Sequence, residues 1–502
     1  MLLLFMIMPT ALYSSAPKDN YETLSQIGLV HKVCDSNFDI IYQGCDLRIA
    51  TEQTKKETAI FEPKLSASFN YKDSTTPNTA EEYYESQSME TYEERLRQYR
   101  MGFSGLLPVG MIYSFDYTID EISNDFVDNR YNNEANKETS TYLGIQLTQP
   151  LLKNRGAKNI MAKIRIAKTS QDISYQEYRN KVMDVVFASL NAYWELYYTT
   201  KQHEFYTNSV QIALDLLQTY TLMVEAGKIA ESELFEIKSG LSLRQSLLSA
   251  ASQKKIEAQN RIFQLMGKPK KGIIMKHFIL LDTPTSYKNY KDISYEKVLE
   301  QALLNNPRYL SSLKNLNKQK IHTEYTKNQN LPELNLKASF GINSLEHCEE
   351  QFLENLWNDN EETWSVGFEF MLPLNGRIDT KSAHRMARIR KKQAQIGIQL
   401  IKRDLENQID SRIQQVRNSV DQLKRHNDNV RIKQKIMDLE MSRLDGGKSN
   451  IIVVLEKEKQ LNQAKNGHLR ATVNFEISKV ALKRVDGTLL KSYGLDIEKN
   501  LR

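Results

Sequence analysis

The chain has 502 residues, 40% hydrophobic and 26% charged, with 68 Lys and Arg against 62 Asp and Glu for a formal net charge of +6. Acid and base are mixed along the chain rather than gathered in a basic tract, which gives nucleic-acid binding no support, and no nucleic-acid partner is expected. The modest hydrophobic share suits long amphipathic helices with one wet face better than a thick globular core, and at this length several domains compete with one body made by tandem duplication.

Residues 1–16 read as a signal peptide, apolar through Tyr13 and small at Ser14-Ser15-Ala16. That run suits a secretory core and is too short to span a bilayer. No Lys or Arg precedes it, and Pro17 follows the cut site. Elsewhere no apolar run of about 18 residues offers a transmembrane helix. Cys34, Cys45 and Cys348 show no metal-ligand spacing. Placed on one helix, Cys34 and Cys45 would share a face but stand roughly 16 Å apart, too far to bridge.

A first repeat is expected over 27–267: a helix, strands over about 64–150 and a long helical hairpin over 154–267. After Pro63, Leu65, Ala67, Phe69 and Tyr71 alternate with smaller or polar residues. Tyr99, Met101 and Phe103 alternate up to the turn Leu107-Pro108-Val109-Gly110, and Met111, Tyr113, Phe115 and Tyr117 alternate after it. This predicts an extra hairpin between two long polar loops, about Lys72 to Glu94 and Ile119 to Ser140. Leu143, Ile145 and Leu147 carry the next strand to Pro150. From Arg155 to Glu225 there is no proline, and Val182, Val185, Val186, Leu190 and Tyr193 give a helical stripe. Ala226-Gly227-Lys228 reverses the chain, with Ser232 as cap for the return helix.

Residues 268–293 form a connector, basic at Lys268, Lys270 and Lys271 and apolar over Phe278 to Leu281, expected on the outside of the helical body. A second repeat follows over 294–490: a helix from about Tyr295, strands over about 333–373 and a helical hairpin over 377–487. Trp364, Val366, Phe368, Phe370 and Leu372 alternate with small or polar residues. Leu405, Ile409, Ile413, Val416, Val420 and Leu423 are spaced 4, 4, 3, 4 and 3, one buried stripe on a helix long enough for coiled-coil packing. Gly446-Gly447-Lys448 turns this hairpin and Ser449-Asn450 caps its return. Residues 491–502 are a C-terminal tail.

The two repeats keep the same intervals. Asn37 stands 26 positions before Pro63, as Asn306 does before Pro332. Gly144 and Gly367 each stand 6 before a proline, Pro150 and Pro373. The tip glycines Gly227 and Gly447 follow those prolines by 77 and 74, and Gly267 and Gly487 follow the tips by 40 each. The strand pattern fits a membrane β-barrel, and an ordinary half-buried sheet equally.

No reaction centre emerges. Gly447-Lys448-Ser449 lacks the earlier glycine of a phosphate loop, since position 442 is Ser. His203-Glu204 has no second His at zinc-protease spacing, and no nucleophile constellation appears. The reading is of a protein that is not an enzyme and takes neither cofactor nor metal.

Asn306-Pro307, Gln149-Pro150-Leu151-Leu152, Leu372-Pro373-Leu374-Asn375-Gly376, Ala192-Tyr193-Trp194, Asp486-Gly487-Thr488-Leu489-Leu490 and the two glycine tips resemble, in order and spacing, the TolC-type outer-membrane efflux family over roughly residues 30–495. The resemblance implies a mixed α and β fold, mainly α. In it a tandem duplication forms a trimeric transmembrane β-barrel continued by a long periplasmic α-helical barrel of coiled-coil hairpins. It implies a homotrimer in the bacterial outer membrane that extends into the periplasm, in contact with outer-membrane lipid. The function implied is a duct of a tripartite efflux or type I secretion system, passively conducting substrates from a periplasmic adaptor and an inner-membrane transporter to the exterior. The alternative is a periplasmic adaptor or coiled-coil scaffold.

Carried over by position, the resemblance puts the periplasmic aperture or gate at Ser232, Glu233, Ser449 and Glu456, and the adaptor-docking tips at Gly227, Lys228, Gly446, Gly447 and Lys448. The family's second acid falls on Val453 and its tip arginine on Ser449, so an arginine-based latch is in doubt. Glu456, with Glu233, is read either as a cation-favouring ring or as solvated first-turn helix charge. The glycines are read as helix C-caps with or without a docking role. The Tyr99 to Tyr117 hairpin either adds two strands to the barrel or folds as a lid.

Overall fold

The structure, a computed structural model, describes residues 21–85, 90–124, 138–227, 230–267, 277–285, 290, 293–346, 361–373 and 377–495. The signal-peptide segment, Cys348, Lys228, the three connector lysines and most of the C-terminal tail lie outside the described residues. The chain is mainly helical, and it divides into two units that cut across both repeats. One comprises Leu47–Ser174 and Ser312–Ile398; the other comprises Met1–Asp46, Tyr175–Ser311 and Gln399–Arg502.

The first unit holds a six-stranded sheet: β2 (Lys64–Pro77), β3 (Thr91–Leu106), β4 (Ile112–Asn124), β5 (Glu138–Pro150), β7 (Glu333–Glu346) and β8 (Glu361–Met371). Every pair is antiparallel and the order is β2-β3-β4-β5-β7-β8. The extra hairpin is therefore two strands of the sheet, not a lid. The long loop expected over Lys72 to Glu94 is shorter. Strand pairing continues to Pro77 and Thr91, with a helical turn at Ala80–Glu85 between. Cross-strand ion pairs at Lys72–Glu94 (3.2 Å), Arg95–Asp73 (3.6 Å) and Arg97–Glu121 (3.7 Å) accompany the ladder where apolar alternation stops.

Both strand-to-helix joins place a non-glycine residue at positive φ four positions past a proline: Asn154 at 63° and Arg377 at 51°. Each is held by the end of one helix, Pro307–Gln329. The Asn154 N–H donates to Asn328 Oδ1 at 2.8 Å, and Arg377 Nη1 donates to the Asn330 carbonyl at 2.5 Å.

In the second unit the repeats meet as helices. Here α1 (Gln26–Ser36) breaks at Asn37 before α2 (Phe38–Thr58) begins. Cys34 and Cys45 are thus on different helices, not on one face of one helix as expected. The Cys34 thiol is pushed up to about 12, first by burial and then by Asp35, which leaves it an inert apolar filler. The hairpins are α3 (Ala162–Glu225) with α4 (Glu231–Leu265), and α7 (Ile378–Asp445) with α8 (Ile451–Val485). The helix from Tyr295 is α5 (Tyr295–Asn305), and α6 is Pro307–Gln329.

One core layer packs Leu29, Val33, Val186, Tyr193, Trp194 and Ile262 around a small parallel pair, β1 (Tyr21–Leu24) with β6 (His277–Leu280). Part of the connector is therefore a strand, and its Phe278 is buried against Phe263. The other layer is the predicted stripe: Leu405, Ile409, Ile413, Val416, Val420 and Leu423 are all buried, packed with Val298, Ala302 and Phe475. Below the connector lies a buried ion pair, Glu476 with Lys479 at 2.5 Å. Thr285 donates to Glu476 Oε1 from its N–H at 2.7 Å and its hydroxyl at 2.9 Å. The ammonium of Lys479 lies 4.8 Å from the Phe475 ring centroid and 5.3 Å from that of Tyr290.

The matching intervals have a structural cause. Asn37 Nδ2 donates to the Leu265 carbonyl at 2.8 Å while its Oδ1 accepts from the N–H groups of Asp39 and Ile40. Asn306 repeats this with the Val485 carbonyl at 2.9 Å and the N–H groups of Arg308 and Tyr309. Each Asn opens one helix and ties it to the end of its hairpin's return helix. Beside each stands a glycine at positive φ, Gly267 at 65° and Gly487 at 77°. A Cβ would stand 2.3 Å from the Ser36 carbonyl oxygen in one and 2.5 Å from the Asn305 carbonyl carbon in the other.

Candidate functional site: hairpin tips and a two-faced sheet

At the second tip the Gly447 N–H donates to the Leu444 carbonyl (2.9 Å) and the Lys448 N–H to the Arg443 carbonyl (2.8 Å). With Gly447 at φ 68°, this is a Schellman ending that satisfies the last carbonyls of α7. Gly446 and Lys448 are exposed. Asn450 caps α8, its Oδ1 accepting from the Val453 N–H at 3.1 Å. Ser449 does something else: its hydroxyl donates to Glu440, a buried acid near the end of α7 that also pairs with Arg443 at 3.4 Å.

At the first tip Gly227 sits at φ 66°, and its N–H donates to the Val224 carbonyl. The expected cap, Ser232, is not one. The N-cap is Ala230, which offers no side-chain acceptor, and Ser232 lies exposed in the first turn. Glu231 and Glu233 in that turn oppose the helix's positive end instead. Glu233 is half-buried near Tyr220, whose hydroxyl is raised mainly by its own burial and further by this acid.

Glu456 is exposed, accepts from Gln460 Nε2 at 3.2 Å and pairs with Lys459 at 3.7 Å. These contacts hold its carboxyl below the usual range, the Gln460 hydrogen bond most. It lines a cavity of about 450 Å³ between α4 and α8, with Phe205, Glu236, Leu243, Arg244 and Lys459. Among the described residues no hydrogen bond or ion pair joins Ser232 or Glu233 to Ser449 or Glu456.

The two return helices are joined elsewhere, by residues that sequence reasoning missed. Arg244 Nη2 pairs with Glu458 at 2.5 Å, both side chains 13% exposed, and Arg244 Nε donates to Ser209 Oγ at 3.1 Å. Arg and Glu 214 positions apart, on faces with no motif, give a single sequence no signal.

The sheet has two unlike faces. Leu65, Phe103, Phe115, Ile145, Phe340 and Trp364 stand in one row across all six strands, and Ala67, Met101, Tyr117, Leu143, Ile342 and Glu362 in the next. The opposite face carries the row Ser66, Gly102, Asp116, Gly144, Gly341 and Thr363. Large apolar side chains lie on a face that covers no core: Trp364 is 71% exposed and Phe368 71%. Among the described residues no helix is long and apolar enough to cross a membrane.

This fold, six two-faced strands with two long helical hairpins, is that of outer-membrane channels. The chain is similar to the CmeC outer membrane channel of Campylobacter jejuni, with a TM-score of 0.63 at 16% identity, over 99% of this chain and 97% of that one. The outer-membrane channel OprN gives 0.65 at 12% identity over 97% and 98%. The open state of the MtrE outer membrane channel of Neisseria gonorrhoeae gives 0.61 at 13% over 93% and 89%. No curated protein sequence matches the chain significantly. Residues 298–488 match the family model described as outer membrane efflux protein. That match covers less than half of the chain, and the likeness to the solved channels is one of fold.

Proposed function

We propose that the chain is one protomer of a homotrimeric duct that passively conducts substrates outward, coupled through a periplasmic adaptor to an inner-membrane transporter in a tripartite efflux or type I secretion system. The carrying observation is the sheet, apolar on one face, polar on the other and, among the described residues, unpaired along the outer edges of β2 and β8. In hydrocarbon every unsatisfied backbone group costs several kcal/mol, so an open sheet edge is not tolerated and the sheet must close. In the proposed trimer the apolar face meets outer-membrane lipid and the hairpins form the helical tunnel. An adaptor or scaffold would leave the amphipathic sheet without a role.

In this reading the tips form the periplasmic aperture. Glu456, with Glu233, makes it favour cations, and Gly227, Lys228, Gly446, Gly447 and Lys448 receive the adaptor. The Arg244–Glu458 pair clasps the two return helices where the family's tip arginine is missing. The test is electron microscopy of the detergent-extracted protein. Threefold particles with a detergent belt at one end support the duct; belt-free monomers or dimers refute it. Glu456→Gln in reconstituted channels should reduce cation preference, and an unchanged preference would make Glu456 a plain surface charge. Gly447→Arg should abolish export while folded trimers persist.

A further inference from the structure

The six strands bear on the width of the duct, an inference that rests on the threefold reading above. The second repeat gives the sheet two strands, β7 and β8, paired directly. The first gives four. By the Pro63/Pro332 and Pro150/Pro373 correspondences, β2 and β5 are the counterparts of β7 and β8, and β3–β4 is an insertion between them.

That insertion is wall. β2 pairs with β3 without a break from Lys64 opposite Ser104 to Pro77 opposite Thr91, and β4 pairs with β5 from Ile112 opposite Thr148 to Ile122 opposite Glu138. The apolar and polar rows run through it without changing sides. Its turn is seated on the first strand-to-helix join. A Cβ at Gly110 would stand 3.0 Å from the Asn154 carbonyl oxygen and 3.1 Å from the Ile160 side chain.

An even number of antiparallel strands makes β2 and β8 run in opposite directions. The β8 edge of one copy therefore meets the β2 edge of another antiparallel, like every other pair in the sheet. The faces agree too: Trp364, Val366, Phe368 and Phe370 lie on the side of Leu65 and Phe69. A second copy of this chain thus continues both rows. We propose that three copies close into a barrel of eighteen strands, β8 of each paired with β2 of the next. The inserted hairpin then widens the pore by about half relative to a barrel built from two strands per repeat, since diameter grows roughly linearly with strand number. Barrels of this size keep an aqueous channel. Its polar lining carries both signs, Arg100 and Lys337 with Asp116 and Glu369, so it sorts cargo by size more than by charge.

The test is electron microscopy of the full-length protein at a resolution that counts strands. Eighteen strands in a threefold wall is the expected result. A threefold particle with twelve, β3–β4 lying outside the wall, would overturn the inference and leave the duct standing; a particle without threefold symmetry would remove both. Cross-linking gives a second readout. In a chain with Cys34, Cys45 and Cys348 changed to Ser, Ser365→Cys is combined in turn with Ser66→Cys, Ser68→Cys and Asn70→Cys. Oxidation of at least one pair should give covalent trimers on denaturing gels, and failure of all three counts against the seam.

Discussion

The two repeats agree where the backbone has no alternative and differ where side chains do the packing. Asn37 and Asn306 make the same three hydrogen bonds, Gly267 and Gly487 press on equivalent backbone, and Asn154 and Arg377 turn the chain at equivalent joins. Around these fixed points the contents diverge. The first repeat buries Tyr193 and Trp194 under the β1–β6 pair, the second a plain aliphatic stripe, and only the first accepts two more strands. A chain with two such repeats can therefore change its helical core and its sheet independently, provided corners and joins stay.

The buried pair Glu476–Lys479 belongs to one repeat alone and is the sharpest asymmetry. Glu476→Ala should leave an uncompensated ammonium and cost about 3–5 kcal/mol, seen as a large fall in the thermal midpoint of purified protein. A small fall would mean the connector is held by apolar contacts and the asymmetry is superficial.

The corners should break together. Gly267→Ala and Gly487→Ala each add the left-handed penalty to a collision with backbone, about 2–4 kcal/mol in all. Gly227→Ala and Gly447→Ala, with nothing within 4 Å of the added carbon, should cost only about 1 kcal/mol. Equal losses at corners and tips, measured by the same thermal midpoints, would refute the view that space at the corners keeps the glycines. Asn37→Ala and Asn306→Ala should each lose about 2 kcal/mol, a cap plus a carbonyl partner, with Asn37 the larger because it is buried.

What the sequence revealed follows this division. The intervals of 26 and 40 were legible because an Asn, a Gly and a Pro at fixed distances mark backbone geometry that other residues do not supply. The stripe from Leu405 to Leu423 was legible because one helix face is buried along its length. The role of the Tyr99 to Tyr117 hairpin was not, since a lid and a wall strand share the same alternation and only register separates them. β1 and β6 escaped because four-residue strands show no period. The Asn37 break, which separates Cys34 from Cys45, hid in a run whose helical pattern continues across it. The clasp of Arg244 and Glu458, and the bond from Ser449 to Glu440, depend on helix pairing and tip geometry that a linear pattern does not encode.

The smallest expected effect tests a position at which the two corners differ. The residue before the corner glycine is Met266 in the first repeat and Asp486 in the second, where the carboxylate accepts from the Thr488 N–H at 2.8 Å and its hydroxyl at 2.6 Å. Burial raises the Asp486 carboxyl above its ordinary value and outweighs those two bonds. A carboxyl raised in the folded state binds its proton more readily there than in the unfolded chain. Its stabilising share is full below the unfolded carboxyl range and is lost as pH rises through the folded value. Asp486→Asn keeps an acceptor for Thr488 and removes the charge. It should therefore match the parent near pH 4 and become relatively more stable towards pH 7, read as the difference in thermal midpoint across that range. A variant that instead loses stability at neutral pH would show that the charge itself holds Thr488, and that the second corner depends on a side chain the first does without.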